Sequence, residues 1–406
     1  MYESAFRAAD EAYANGRVAV TADKREVHWK NWCSFVAPLG VDPKLQDTPF
    51  HHRIRCLTGF TALIRKGYYG RGREIQVGSV SSALTAVGQK IALVNEVNPT
   101  KQPGSDKFAP RIAEMLASWG KEDPATMKKL PVEADVPEFL ALAGKVAGAT
   151  ELQKAVGDCA LIAFYYLCRV GEYTVKKTRN HTKQTKQFEL KDCTFFRKNA
   201  MGQLRQLSRT APDDVIMEAD SATLKLDNSK NGWKGVCVNQ EANGEEFCCA
   251  VRAIGRRYCY IRKHAGGDRK AYLSAYWVKD KRKDVNDEDM RENLKWAATE
   301  LDYPCRKGIP IKRVDIHSLR IGGANALSLS GYSDREIQKM GRWRGETFKE
   351  YIREQLDVFS KGMSKNMKQK FNFVNVEGGV NSDIVEVLDI TKAVLLTRLN
   401  AAACAA

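Results

Sequence analysis

The stretch from Ala155 to Leu167 is apolar on nearly every side of a helical projection, and it runs directly into Cys168-Arg169-Val170-Gly171-Glu172. A helix with no broad polar face belongs inside a fold, with other elements packed around it. Its end therefore carries a guanidinium and a carboxylate toward the interior, where a lone arginine is costly. Two readings of Arg169 stand side by side. It is a structural ion pair with Glu172 or Asp192, or it is turned by Glu172 toward a phosphate.

Upstream, residues 1 to 125 read as helical. Thr21 can cap a helix on which Val27, Trp29, Trp32, Phe35 and Val36 roughly mark a face, and Ser79 can cap the cleaner stripe Val80, Leu84, Val87 and Ile91. Between them, Ile54 to Lys66 is helical in pattern and ends in a glycine-rich turn at 67–72. A further helix around Arg111 to Trp119 stops at Gly120. Pro124 and Pro131 lie in the apolar-poor stretch Lys121 to Pro131, which reads as an interdomain linker. After residue 188 the runs shorten and alternate: Phe188–Phe196, Ala222–Asp227, Gly235–Val238 and Tyr258–Ile261 read as strands, with a hairpin turn at Ser229-Lys230-Asn231-Gly232. Residues 262 to 291 carry no assignment. The expected architecture is mainly α with a small antiparallel β-sheet.

Near the C-terminal end, His317 and Arg320 are three residues apart, so on a helix they share a face. Asn325 to Gly331 continues that helix, and Asp334 to Met340 forms another, capped by Ser333 and followed by Gly341-Arg342-Trp343. Tyr351 lies in a third helical stretch with Phe348, Ile352 and Leu356. Cationic donors together with a phenol suit chemistry on a phosphodiester.

A formal charge of +16 favours a polyanionic partner. Basic residues recur at Arg65, Lys66, Arg71 and Arg73, from Lys176 and Lys177 to Lys186, at Arg256-Arg257, at Arg306-Lys307 and at Lys312-Arg313. Any one cluster is more often a solvated face; their recurrence favours nucleic acid. The eleven cysteines include no CxxC pair, which argues against a zinc or disulfide framework and for an intracellular, reducing compartment. No run approaches 18 apolar residues, and the N-terminus lacks the apolar core of a secretory signal, so no membrane partner is expected.

Taken together, Arg169, His317, Arg320, Trp343 and Tyr351 resemble the active-site pattern of the tyrosine recombinases, or phage integrase family, nearest to the eukaryotic mobile-element (Crypton-like or DIRS-like) branch. The quoted matches are Arg169 with Glu172 after a buried helix, His317-x-x-Arg320, Gly341-x-Trp343, and Tyr351 eight residues after the tryptophan. The resemblance covers about 132 to 360 and extends, with weaker support, over 21 to 120. It implies a two-domain clamp: a helical core-DNA-binding domain at 1–125, and a catalytic domain at 132–406 with a C-terminal tail for protomer contacts. Two departures stand out. The 148 residues from Arg169 to His317 are a long separation, which implies insertions near 197–220 and 262–300. Ile321 also stands where a polar residue is common.

The resemblance further implies the roles. Arg169 and Arg320 hold the phosphate, and Tyr351 attacks phosphorus to form a 3′-phosphotyrosyl link. Lys230, the best match to a hairpin lysine of the family, protonates the leaving oxygen. His317 handles the tyrosine proton, and Trp343 donates its indole N–H while packing the tyrosine helix. No nucleotide cofactor and no catalytic metal are expected, since the covalent link conserves bond energy. The implied partners are double-stranded DNA with specific recombination sites and a homotetramer in the synaptic complex, placed in the nucleus if the source is eukaryotic. Arg65, Lys66, Arg71, Arg73, Lys176, Lys177 and Arg313 are candidates for the DNA backbone. A type IB topoisomerase-like enzyme and a non-catalytic DNA-binding derivative remain the alternatives.

Overall fold

Two large apolar cores and a smaller third cluster organise the described residues. The computed structural model describes residues 2–15, 19–70, 72–125, 127–176, 187–226, 235–350 and 352. Tyr351, Lys230, Arg71 and Lys177, together with the apolar tail beyond residue 380, lie outside the described residues.

After α1 (Tyr2–Asn15), the first core is built from helices: α2 (Ala19–Val36), α3 (Phe50–Arg65), α4 (Val77–Asn95) and α5 (Pro110–Glu122). Trp32, Leu57, Phe60, Leu84, Val87, Ile91 and Ile112 are buried together, with Trp32 and Phe60 edge to face at 5.2 Å. By length and composition α4 could cross a membrane, but its Val80, Leu84, Val87 and Ile91 stripe is committed to this core. Ser79 does not cap it. The helix begins two residues earlier, and the carboxylate of Asp123, at the end of α5, accepts from the Val77 N–H at 2.6 Å. The same carboxylate pairs with Arg65.

The second core surrounds α7 (Glu151–Tyr165), which follows α6 (Asp135–Ala143). Thr150 and Gln153 form a capping box at its start, and every residue from Ala155 to Phe164 is buried. The chain then makes α8 (Val170–Tyr173) and a four-stranded antiparallel sheet in the order β2-β1-β3-β4, from β1 (Cys193–Lys198), β2 (Leu204–Gln206), β3 (Ser221–Leu226) and β4 (Val236–Glu241). The helix α9 (Asp213–Met217) lies between β2 and β3. The register closes with Leu226 opposite Val236, so the stretch connecting β3 to β4 is the one that contains Lys230. The Tyr166 hydroxyl donates to the Ala222 carbonyl at 2.7 Å and ties the end of α7 to the central strand.

A second sequence expectation is overturned in this half of the chain. Tyr258–Ile261 is not a strand but part of α10 (Ala250–His264). Ala250, Ile254, Tyr258 and Ile261 recur at helical spacing and are all buried, and Arg257 is buried on the same helix by donating to the Leu273 carbonyl at 3.0 Å. The unassigned region contains a hairpin, β5 (Ala275–Val278) and β6 (Lys281–Asp284), turned by Lys279 and Asp280, both at positive φ. The chain continues through α11 (Asp287–Glu300), α12 (Tyr303–Lys307), α13 (His317–Leu329) and α14 (Asp334–Gly341), ending in a 3-10 turn at Glu346–Glu350.

The helix α13 packs against α7 at backbone distance. A Cβ on Gly322 would sit 1.9 Å from the Val132 carbonyl oxygen, and one on Gly323 would sit 2.3 Å from that of Phe164. The proline-bearing stretch before α6 is also fixed. The Leu130 N–H donates to Arg313 at 3.1 Å and the Val132 N–H to Ser318 at 3.3 Å, while Arg313 returns a hydrogen bond of 2.8 Å to the Lys128 carbonyl.

Candidate active site

The end of α7 sets the site. Leu167 takes a left-handed conformation, φ 47°, which is uncommon for a branched residue and is a mark of functional segments. Its carbonyl accepts from two arginines: from Arg320 Nη1, and from Arg342 Nη2 at 3.0 Å. Arg342 also reaches the Tyr166 carbonyl at 3.3 Å.

Arg169 follows directly at the start of α8. Its backbone N–H donates to Glu172 Oε2 at 2.8 Å, and its Nη1 to Glu172 Oε1 at 3.3 Å. Of the two structural partners read from the sequence, Glu172 is the one bonded to Arg169. Asp192 instead accepts from the Glu189 N–H at 2.9 Å. Glu172 is completely buried, and Arg342 Nη2 donates to its Oε2 at 2.9 Å. A carboxylate at this depth is tolerable only with charged donors on both oxygens, and Arg169 and Arg342 supply them.

Arg320, on α13, is 2 % exposed. Its Nη2 donates to the Gly341 carbonyl, while Arg169 Nη2 donates to the next carbonyl, that of Arg342, at 3.3 Å. Two arginines 151 positions apart in sequence thus hold consecutive carbonyls of one short turn. A guanidinium has five N–H donors, so these bonds use part of its capacity and fix its plane. The turn itself demands Gly341: a Cβ there would lie 1.6 Å from the Trp343 ring. Trp343 is 7 % exposed and lies over the Arg320 guanidinium at 4.3 Å. It packs with Leu167, Ala324, Ile337 and Phe348, against which Ile352 is also placed. Phe348 and Ile352 flank Tyr351 in sequence. Ile321, the departure from the family pattern, is 3 % exposed and belongs to the buried side of α13.

His317 is the first residue of α13 and is exposed. Desolvation and then the Arg320 charge hold its imidazole below the ordinary 6.5; Asp315 pulls the other way and Arg169 adds to the lowering. Desolvation and the neighbouring guanidinium charges therefore favour the neutral imidazole. Burial raises the Asp315 carboxyl, but the Ile316 N–H, Lys129 and Arg291 outweigh it and leave it below its usual range.

The fold thus gathers Arg169, Glu172, His317, Arg320 and Trp343. Among the expected DNA-facing residues, Lys66, Arg73 and Lys176 are exposed, and Arg313 is half-buried on the Lys128 carbonyl. Arg65 is a correction. It is 6 % exposed and engaged inside the first core by Asp123, by Glu74 at 3.0 Å and by the Ile75 carbonyl at 2.8 Å. Sequence reading gave no role to Arg342, although it stands inside the quoted motif. No signal in the sequence marks it, because its acceptors lie on segments about 170 positions away.

No family model matches the chain, and no curated protein matches it. Solved structures with a similar chain course include a lambda integrase dimer bound to a COC′ core site, at 11 % identity, covering 93 % of this chain and 99 % of that one, TM-score 0.43. The Tn1549 transposon integrase in complex with transposon right end DNA is 10 % identical, with 77 % and 84 % covered and TM-score 0.40. XerA recombinase is 14 % identical, with 89 % and 97 % covered and TM-score 0.33.

Proposed function

We propose that the chain is a site-specific DNA recombinase, a tyrosine-type strand transferase that cleaves and rejoins duplex DNA through a 3′-phosphotyrosyl intermediate. The observation that carries this reading is the pinning of Arg169 and Arg320 to consecutive carbonyls beside Trp343, next to a His317 imidazole that desolvation and then the Arg320 charge hold below its ordinary range. A phosphodiester resists attack because negative charge grows on its nonbridging oxygens, and planar guanidinium forks are the side chains suited to receive it. Tyr351 is the nucleophile. A free phenol titrates near ~10, so it needs a base or a cationic setting at neutral pH. A neutral imidazole at His317 can take that proton, and Lys230 protonates the departing 5′-oxygen.

In this reading residues 1–125 and 132–406 form a clamp on duplex DNA, assembled as a homotetramer at synapsis and serving a mobile element, in the nucleus if the source is eukaryotic. Neither a metal nor a nucleotide takes part. The test is covalent capture. Duplexes selected by the full chain from a random pool, rebuilt as nicked suicide substrates, should leave a DNA adduct on Tyr351. Tyr351→Phe should abolish the adduct and leave binding nearly intact. An adduct mapped to another residue rejects the assignment, and adducts that relax supercoils without joining two sites point to a topoisomerase.

A further inference from the structure

We propose that Arg342 is a positioning residue that fixes both phosphate-binding arginines, Arg169 and Arg320, in one rigid frame. The inference rests on the strand-transfer reading above and assigns a role within the same site.

Three observations support it. The Arg342 guanidinium spans acceptors on both sides of Arg169 in sequence: the Tyr166 carbonyl at 3.3 Å, the Leu167 carbonyl at 3.0 Å and Glu172 Oε2 at 2.9 Å. Its side chain therefore clamps the segment that presents Arg169, and Glu172 passes that constraint on through two hydrogen bonds to Arg169. The main chain around Arg342 does a second job. Its own carbonyl takes Arg169 Nη2 and the preceding carbonyl, Gly341, takes Arg320 Nη2. Finally, Arg342 holds a left-handed conformation, φ 58° and ψ 44°. Glycine meets that geometry with less strain, so an arginine kept there at 1 % exposure is there for its side chain. A lysine would retain the charge against Glu172, but its three donors radiate from a single nitrogen and do not reproduce the planar fork that meets the Tyr166 and Leu167 carbonyls and the Glu172 carboxylate together. The consequence is geometric. With the fork gone, Arg169 and Arg320 keep their charges but lose their shared reference, and misplacing a catalytic group by about 1 Å costs on the order of 100-fold in rate.

The experiment uses the full chain, with single-turnover capture on suicide duplex, equilibrium duplex binding, and thermal melts. Arg342→Lys should melt cooperatively and bind duplex close to the parent's affinity while capture slows by about 100-fold. Glu172→Gln should slow capture as well, and the double variant should be no slower than the slower single one to within about twofold, because both act through one linkage. A merely structural role predicts losses that multiply, or losses in binding equal to those in capture, and either result overturns the proposal. Capture by Arg342→Lys at the parent rate also overturns it. Should Arg342→Lys not fold, Glu172→Gln carries the test alone, and capture at the parent rate by that variant rejects the linkage. A parent chain that never forms an adduct rejects the strand-transfer reading instead, so the two failures are distinct.

Discussion

Replacing Arg320 with lysine keeps a positive charge in the same place and removes only geometry, so its effect reports how much the site depends on the guanidinium plane. Arg320 is 2 % exposed, so solvent screening does not soften the change. Its two terminal nitrogens hold carbonyls on separate segments, Leu167 and Gly341, and its plane lies 4.3 Å from the Trp343 ring. One ammonium can keep one of these carbonyls. Losing the other removes a charged hydrogen bond, about 2 kcal/mol, and weaker stacking on tryptophan adds about 1 kcal/mol. A total near ~3 kcal/mol lowers the melting temperature by roughly 6–12 °C for a domain of this size. On the proposed strand-transfer reading, cleavage should fall further, by on the order of 100-fold, because the plane would no longer face the phosphate. Differential scanning calorimetry and single-turnover capture measure the two effects on one preparation. A melting temperature within about 2 °C of the parent together with cleavage within a few-fold would refute the pinned-arginine account.

Two further predictions test the frame and the proton chemistry. Gly322→Ala forces a Cβ onto the Val132 carbonyl, a backbone atom that cannot rotate away. It should destabilise by about 1–3 kcal/mol in thermal melts, whereas Gly78→Ala, with nothing within 4 Å, should be neutral or slightly stabilising. For His317, the lowered folded pKa means that the unfolded chain takes up a proton first as pH falls. The stability this provides is full above 6.5 and is lost as pH drops below that value toward the folded pKa. The acid limb of cleavage should have its midpoint below 6.5 and should disappear in His317→Gln; a midpoint above 6.5 in a pH–rate profile contradicts an imidazole lowered by desolvation and the Arg320 charge.

What could be read from sequence depended on how far each signal extended. The buried helix was legible because its apolar run is long, although Thr150 starts it earlier than the run suggests. Ser333 was legible as a cap, and the structure completes its capping box with Glu336. Tyr258–Ile261 misled because four apolar-rich residues fit either period, and only the wider Ala250–His264 window resolves the helix. The β5–β6 hairpin was hidden because Lys279-Asp280 holds both positive-φ turn positions where Asn-Gly is the usual signal. Arg65 looked like a surface cation because its partners Glu74 and Asp123 are set by tertiary packing. Arg342 was invisible as a frame member for the same reason: its left-handed backbone and its acceptors come from segments about 170 positions away.

The anchoring of residues 123 and 128 sets the length of a tether. Asp123 is tied to Arg65 and to the Val77 N–H at 2.6 Å, and the Lys128 carbonyl is held by Arg313 at 2.8 Å. Five peptide steps separate these moorings, and a fully stretched chain covers at most about 3.6 Å per step, so the two points cannot part by more than about 18 Å. If residues 1–125 and 132–406 act as the proposed clamp, this leash caps how far its two moorings can separate when a duplex is admitted. Lengthening that leash by a few residues would raise this cap without touching either core.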